Sequence, residues 1–288
     1  MQTTEIPVCD FGLFGDDVRH FWMDDLNSLL QHFPILEDPH KQHFFMMLFI
    51  DDAKGEVSID NQKINLDGSK VIVIKPRSIS SIDINSKAKG KIICFTDDFF
   101  SLRYNNNVLN QFSFLYNASK SFVRLNEKEK NKWVYLLEIF FQEFKFQKRE
   151  TVKILRSYLN IFLFELERLS NPQGYVPDST MKQQKVREFE KLIDLHFKFK
   201  KMPSAYADLL NISPNYLNKI CKEISNCTAG DLIRKRIILE AQRLLHYTNH
   251  SVNEIADQLG FESTSYFVTF FKKQINNTPE QFRKASNE

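Results

Sequence analysis

"IADQLGFESTSYFVTFFKKQINNTPEQF", residues 255 to 282, has an earlier counterpart in "YADLLNISPNYLNKICKEISNCTAGDL", residues 206 to 232. Both carry Ala-Asp-x-Leu, then Tyr before a bulky apolar residue, then Lys, then Asn-x-Thr. The offset is 49 residues between Ala207 and Ala256 and 50 between Tyr216 and Tyr266, one residue having entered the intervening turn. Such self-similarity is one supersecondary unit used twice.

Each copy is punctuated as helix, tight turn, helix. In the later copy Ser251 and Glu254 make a Ser-x-x-Glu capping box, Gly260 supplies a left-handed stop, and Ser263 stands where a second cap belongs. In the earlier copy Asn211 holds the glycine place, and Ser213-Pro214 supplies an N-cap with proline at the first helical position. Ala207 and Ala256 are small where two helices must approach. Helices are predicted at about 181–200, 203–210, 213–224, 229–246, 251–259, 263–274 and 279–284.

The second helix of each copy is amphipathic. On 263–274 the aromatic residues Tyr266, Phe267, Phe270 and Phe271 read as the inward face, leaving Ser263, Thr264, Ser265, Val268 and Thr269 outward, with Lys272 and Lys273 nearby. On 213–224 Leu217, Ile220, Cys221 and Ile224 read as inward. Asn215, Asn218, Lys219 and Lys222 then share an outer stripe at i, i+3, i+4 and i+7. A solvated surface accounts for one such stripe; two, repeated on either side of one helix, point to a repeated target. A DNA major groove about 12 Å wide admits one α-helix. There Asn pairs bidentately with adenine and Lys donates to guanine, whereas Ser and Thr hydroxyls are less selective, so the first helix is expected to discriminate more sharply. A connecting helix from Asp231 to His246 spans about 24 Å, which lets the two readers lie about one DNA turn (~34 Å) apart.

These residues resemble the DNA-binding domain of the AraC/XylS family of transcriptional regulators over the C-terminal hundred or so positions. The resemblance is carried by "IADQLGFESTSYFVTFFKKQINNTPEQFR" and by "RKRIILEAQRLL" (234–245), where Arg236, Ala241, Leu244 and Leu245 fall on the family's connecting helix. Cys221 replaces a usual Phe, Asn276 a usual Gly and Ala229 a common Pro. The resemblance implies a sequence-specific regulator, more often an activator, that binds double-stranded DNA and contacts RNA polymerase. Asn215, Asn218, Lys219, Lys222, Ser263, Thr264, Ser265, Thr269 and Lys272 are its expected DNA-binding residues.

Upstream, residues 42 to 96 read as short strands, rich in β-branched and aromatic residues and separated by turn residues. Val57 and Ile59 alternate with polar residues before Asp60-Asn61, and Ile64 and Leu66 resume the alternation, as in a half-buried hairpin. A small antiparallel barrel or sandwich is expected. Two helices follow within about 126–169, with stripes Trp133, Leu136, Leu137, Phe140, Phe141, Phe144 and Leu155, Leu159, Phe162, Leu163, Leu166. "SNPQGYVPDST" (170–180) has the composition of a linker. The fold class expected is therefore α+β in two domains. Residues 1–175 hold a barrel (about 42–100) and its helices; residues 176–288 hold an all-α domain of two helix-turn-helix units.

The strands, "KVIVIKPRSIS" and "KIICFTDDFF" resemble the cupin-like sensor domain common in this family. That resemblance implies a small-molecule effector and a homodimer formed through helices 126–169. An effector-independent regulator with a structural barrel is the alternative. A cupin metalloenzyme would need about three His and a carboxylate around an open metal position. His40 and His43 are close in sequence but read as ordinary loop residues, and the place after Pro76 where relatives carry His is Ser80. No metal, cofactor or catalytic residue is expected; Gly-x-Ser-x-Gly, P-loop and dinucleotide patterns are absent from the sequence.

Composition agrees with this class. At 288 residues, 42% hydrophobic and 26% charged, the chain is suited to folded cores. The net charge of +3 is unevenly spread, with 17 basic against 13 acidic residues from Val176 onward and 22 against 23 before it. Four cysteines without a Cys-x-x-Cys pair suggest a reduced cytoplasm, and runs no longer than "FFMMLFI" (44–50) predict neither a membrane span nor an export segment.

Overall fold

A computed structural model describes residues 5–16, 18, 20–60, 62–101, 109, 112–115, 121–171 and 181–286. Of the expected linker, residues 172–180 lie outside the described ones. The chain divides into two compact units, one of Pro7–Val176 and one of Pro177–Glu288 together with Met1–Ile6.

The first unit runs β1 (Val8–Cys9), β2 (Phe21–Asp25), α1 (Leu29–His32), β3 (His40–Gln42), β4 (Phe45–Asp52), β5 (Gly55–Ile59), β6 (Gln62–Asn65), β7 (Lys70–Ile74), β8 (Ile79–Ile84), β9 (Lys89–Phe95), α2 (Asp98–Ser101), β10 (Phe122–Arg124), α3 (Glu127–Phe146) and α4 (Thr151–Ser170). Its strands form two five-stranded sheets, ordered β1-β3-β8-β5-β6 and β10-β7-β4-β9-β2. Pairing is antiparallel except between β1 and β3. Of the barrel or sandwich expected, the strands form two open sheets sharing a core, and the sheets do not close into a barrel. Edge strands β1 and β10 have only two and three residues, so they offer little ladder with which to bridge the sheets. The expected hairpin is present as β5 and β6, pairing Val57 with Ile64.

Strand β4 shows why "FFMMLFI" lacks polar alternation. Met46, Leu48 and Ile50 join Val57 and Ile82 between the sheets, while Phe45, Met47 and Phe49 join Trp133, Phe140 and Phe162 beneath the helices. Both faces are covered, so both must be apolar. The first helix starts at a capping box in which Asn126 Oδ1 accepts the Glu129 N–H at 2.9 Å and the Glu129 carboxylate accepts the Asn126 N–H at 2.8 Å. The expected stripes of α3 and α4 reach the core; Tyr135, Phe146 and Ile161 stay outside at 67%, 67% and 43% exposure.

The second unit is all helical: α5 (Met181–His196), α6 (Pro203–Leu209), α7 (Pro214–Ser225), α8 (Ala229–Tyr247), α9 (Val252–Gln258), α10 (Thr264–Ile275) and α11 (Pro279–Ser286). One core runs through both copies, from Phe189 and Tyr206 past Leu217, Ile237 and Leu245 to Phe267 and Phe271.

Two residues expected in that core lie outside it. Tyr266 is 61% exposed. At about 100° per residue, Phe267 and Phe271 point within about 40° of each other, Phe270 stands further round, and Tyr266 is about 120° from the centre of the buried pair. Four aromatics thus span too wide an arc for one core. Ile224, 41% exposed, keeps the direction of its stripe but falls in the last turn of α7, beyond the packing partners; Gln274, its equivalent in the second copy, is exposed too.

Candidate nucleic-acid interface

The two outer helices are built alike, and short-range chemistry sets their ends. Ser213 Oγ accepts the Tyr216 N–H at 3.1 Å and Ser263 Oγ accepts the Tyr266 N–H at 3.2 Å, each satisfying an otherwise free donor at the helix start. The preceding turns pass through left-handed residues, Asn211 at φ 52° and Gly260 at φ 67°. The helices stop at left-handed Asn226 and Asn276, φ 53° and 64°, which explains why Asn can stand where Gly is usual. Both α7 and α10 are twelve residues long.

The expected contact residues are brought onto these helices in different states. Asn215, Lys219 and Lys222 are exposed on α7. Asn218 is half-buried, and its Oδ1 accepts the Ala229 N–H at the first residue of α8, at 3.1 Å. That oxygen is the group a bidentate pair with adenine would need, so the amide tethers α7 to the start of α8 and offers a base its NH2 donors. Asn218→Ala is expected to lower unfolding free energy by about 1 kcal/mol, since the Ala229 donor loses its cap. An unaltered urea midpoint would show the tether to be dispensable.

On α10, Ser265, Thr269 and Lys272 are exposed and Thr264 is half-buried. Thr264 Oγ1 donates to Asn253 Oδ1 at 2.5 Å, and Thr269 Oγ1 donates to the Ser265 carbonyl at 2.9 Å. With their protons engaged, these hydroxyls can only accept further hydrogen bonds, while Ser263 serves as the cap. Sequence reasoning missed Tyr266 and its equivalent Tyr216, 37% exposed, as outward groups beside the caps. The angular width of the aromatic set was the available signal for Tyr266.

Helix α8 carries both units. Its 19 residues span about 28 Å. Thr228 Oγ1 accepts the Asp231 N–H at 3.1 Å, while the Asp231 carboxylate accepts the Thr228 N–H at 2.9 Å. Hydrogen bonding from Thr228, followed by Arg234, holds the Asp231 carboxyl down at about 2. Arg236 binds Asp194 of α5 at 2.5 Å and Glu240 at 3.0 Å, and stacks 4.2 Å above the Phe197 ring. At the other end, Arg283 of α11 donates to the carbonyls of Leu245 and His250, at 3.2 and 2.5 Å. The body of each copy is therefore clamped to one rod.

The histidines weighed as metal ligands separate. His40 lies buried in β3 rather than in a loop, its Nδ1 2.8 Å from the Asp38 carbonyl, and burial holds its pKa down; His43 is exposed. Among the described residues no group of three or more His, Cys, Asp or Glu could hold a metal, and no helix is long and apolar enough to cross a membrane.

A helix-turn-helix domain family matches residues 206–285. The chain is 41% identical over 69 residues to the probable transcription factor PqrA of Proteus vulgaris, covering 24% of this chain and 57% of that protein. It is 32% identical over 94 residues to the bifunctional transcriptional activator/DNA repair enzyme AdaA of Bacillus subtilis, covering 33% and 44%. Among solved structures it is similar to the C-terminal domain of AraT, a response regulator from Geobacillus stearothermophilus, with 31% identity and a TM-score of 0.34, covering 35% of this chain and 84% of that one. The chain spans about half the length of the curated relatives it matches.

Proposed function

We infer the function from one premise: the C-terminal domain of this chain belongs to the AraC/XylS family of transcriptional regulators. The chain is a sequence-specific DNA-binding regulator that lays α7 and α10 into two adjacent major grooves. The observation that carries this reading is the pair of equally capped, twelve-residue helices, each with an exposed polar face, attached to one 19-residue rod. In this reading Asn215, Lys219, Lys222, Ser265 and Thr269 face base edges, the Asn218 NH2 donates where it can, and Ser263 and Thr264 set the helix entry beside the backbone.

Selection of bound duplexes from a random DNA library by the full chain tests it. Recovered sites should contain two boxes about 10.5 base pairs apart, centre to centre. Failure to enrich any sequence would sink the reading. Lys272, exposed in the last turn of α10, is assigned to a phosphate. Lys272→Ala should weaken all sequences similarly and reduce the slope of log affinity against log salt by about 0.9; an unchanged slope would remove it from the footprint.

The N-terminal unit, by the resemblance of its strands to cupin-like sensors, responds to a small-molecule effector and forms a homodimer through α3 and α4, and the regulator activates transcription through RNA polymerase. The exposed Tyr135, Phe146 and Ile161 favour the dimer, which sedimentation would detect as twice the 34.0 kDa mass. One observation favours the effector-independent reading: Met46, Leu48, Ile50, Val57 and Ile82 occupy the space between the sheets with no residual exposure. Thermal stabilisation of the full chain by a small molecule would decide against that second reading.

A further inference from the structure

Between α5 and α6 runs the segment 197–202, "FKFKKM", which leads into the first copy. It is pinned on that side: Phe197 is buried beneath the Arg236 guanidinium of α8, and the buried Tyr206 of the first copy donates its hydroxyl to the Lys200 carbonyl at 2.7 Å. It also reaches the second copy. Lys201 Nζ donates to the carbonyl of Gly260, in the turn of the second helix-turn-helix, at 2.5 Å, and to its own segment at the Lys198 carbonyl, at 2.9 Å. The same ammonium stands 4.9 Å from the centroid of the Phe261 ring. Phe261 in turn touches Tyr266, Phe267 and Phe270 on α10, with ring centroids 5.8, 5.2 and 5.2 Å away. Backbone contact is close as well, since a Cβ added at Gly260 would lie 2.1 Å from the Lys198 carbonyl oxygen.

We propose that Lys201 is a positioning residue that locks the first helix-turn-helix to the turn leading into α10, so that the two readers hold one mutual angle and accept one spacing of their DNA boxes. The inference rests on the two-groove reading above. The rod α8 and the core that runs through both copies fix the distance between the units, and a tether off the rod axis resists the remaining change of angle about it. One charged donor shared between the two copies' backbones makes such a tether, because its bonds are stronger than neutral ones and end on rigid turns.

The test uses the full chain and duplexes recovered from the random-library selection, with the two boxes at the recovered spacing or one base pair further apart. An added base pair turns the second box by about 34° and moves it about 3.4 Å. Wild type is expected to lose about tenfold in affinity on the lengthened site, a loss of about 1.4 kcal/mol. Lys201→Met and Lys201→Gln, each checked for cooperative melting, should lose less than about threefold on that change while staying within about threefold of wild type at the recovered spacing. Lys201→Arg, which keeps charge and donors, should restore the wild-type penalty. A penalty equal to wild type in whichever of the Met and Gln variants folds would overturn the latch and leave the two-box reading standing. Equal weakening at both spacings with a salt slope reduced by about 0.9 would overturn it in favour of a phosphate contact. Recovery of single-box sites alone would remove the two-groove reading, and the latch with it.

Discussion

Gly260→Ala should destabilise the C-terminal domain by about 3 kcal/mol or more, well beyond the ordinary cost of a left-handed alanine. Two costs combine at this position. The backbone is left-handed, φ 67°, which for a residue with a Cβ costs about 1 kcal/mol. The added methyl would also stand 2.1 Å from the Lys198 carbonyl oxygen, a backbone atom that cannot rotate aside, so the 197–202 segment must retreat and take Lys201 with it. Asn211 is the internal control, since it holds the same place in the first copy with φ 52°. Asn211→Ala should cost about 1 kcal/mol and Asn211→Gly little. Urea midpoints for the three variants check the comparison. Similar losses for the two alanine variants would mean that the close approach at Gly260 relaxes without strain.

The same pair of turns shows what could be read before coordinates. Ser213, Ser251 with Glu254, Ser263 and the left-handed Asn and Gly residues act on backbone groups within a few positions, so helices predicted at 213–224 and 263–274 lie within one residue of Pro214–Ser225 and Thr264–Ile275. Strands β2 and β10 escaped notice for the opposite reason. Phe21 pairs with Phe95 and Val123 with Val71, partners brought together only by the folded sheet, and no hairpin turn announces either strand. Openness of the two sheets was hidden likewise, because alternation within a strand fixes its faces but not which edge it meets. In the candidate interface the outer stripes were legible from periodicity. The tie from Asn218 to Ala229, the exposure of Tyr266 and the Lys201 contact were not, because each depends on where a second element packs.

Glu240→Ala is the other substitution with a large expected effect, about 3 kcal/mol of unfolding free energy, and its cause is electrostatic rather than steric. Glu240 lies on α8 with its side chain 9% exposed, and one carboxylate oxygen binds both Arg236 at 3.0 Å and Arg243 at 3.2 Å. The two guanidiniums are themselves 13% and 5% exposed, so neither can exchange the carboxylate for bulk water. Arg236 keeps Asp194 at 2.5 Å and its stacking on Phe197 when Glu240 is removed. Removing the carboxylate alone takes a counter-charge from two guanidiniums in a medium of low dielectric, whereas removing one of those guanidiniums with it lessens that cost. The double variant Glu240→Leu/Arg243→Leu should therefore be more stable than Glu240→Ala alone, despite losing more hydrogen bonds. Because Arg236 also joins α8 to α5 and loses Glu240 in both variants, both should loosen the grip of the rod on the first reader and lower affinity for two-box DNA. Denaturant midpoints and DNA affinities measured together test this; a double variant less stable than the single one would mean that the network is valued for its bonds and not for the charge it neutralises.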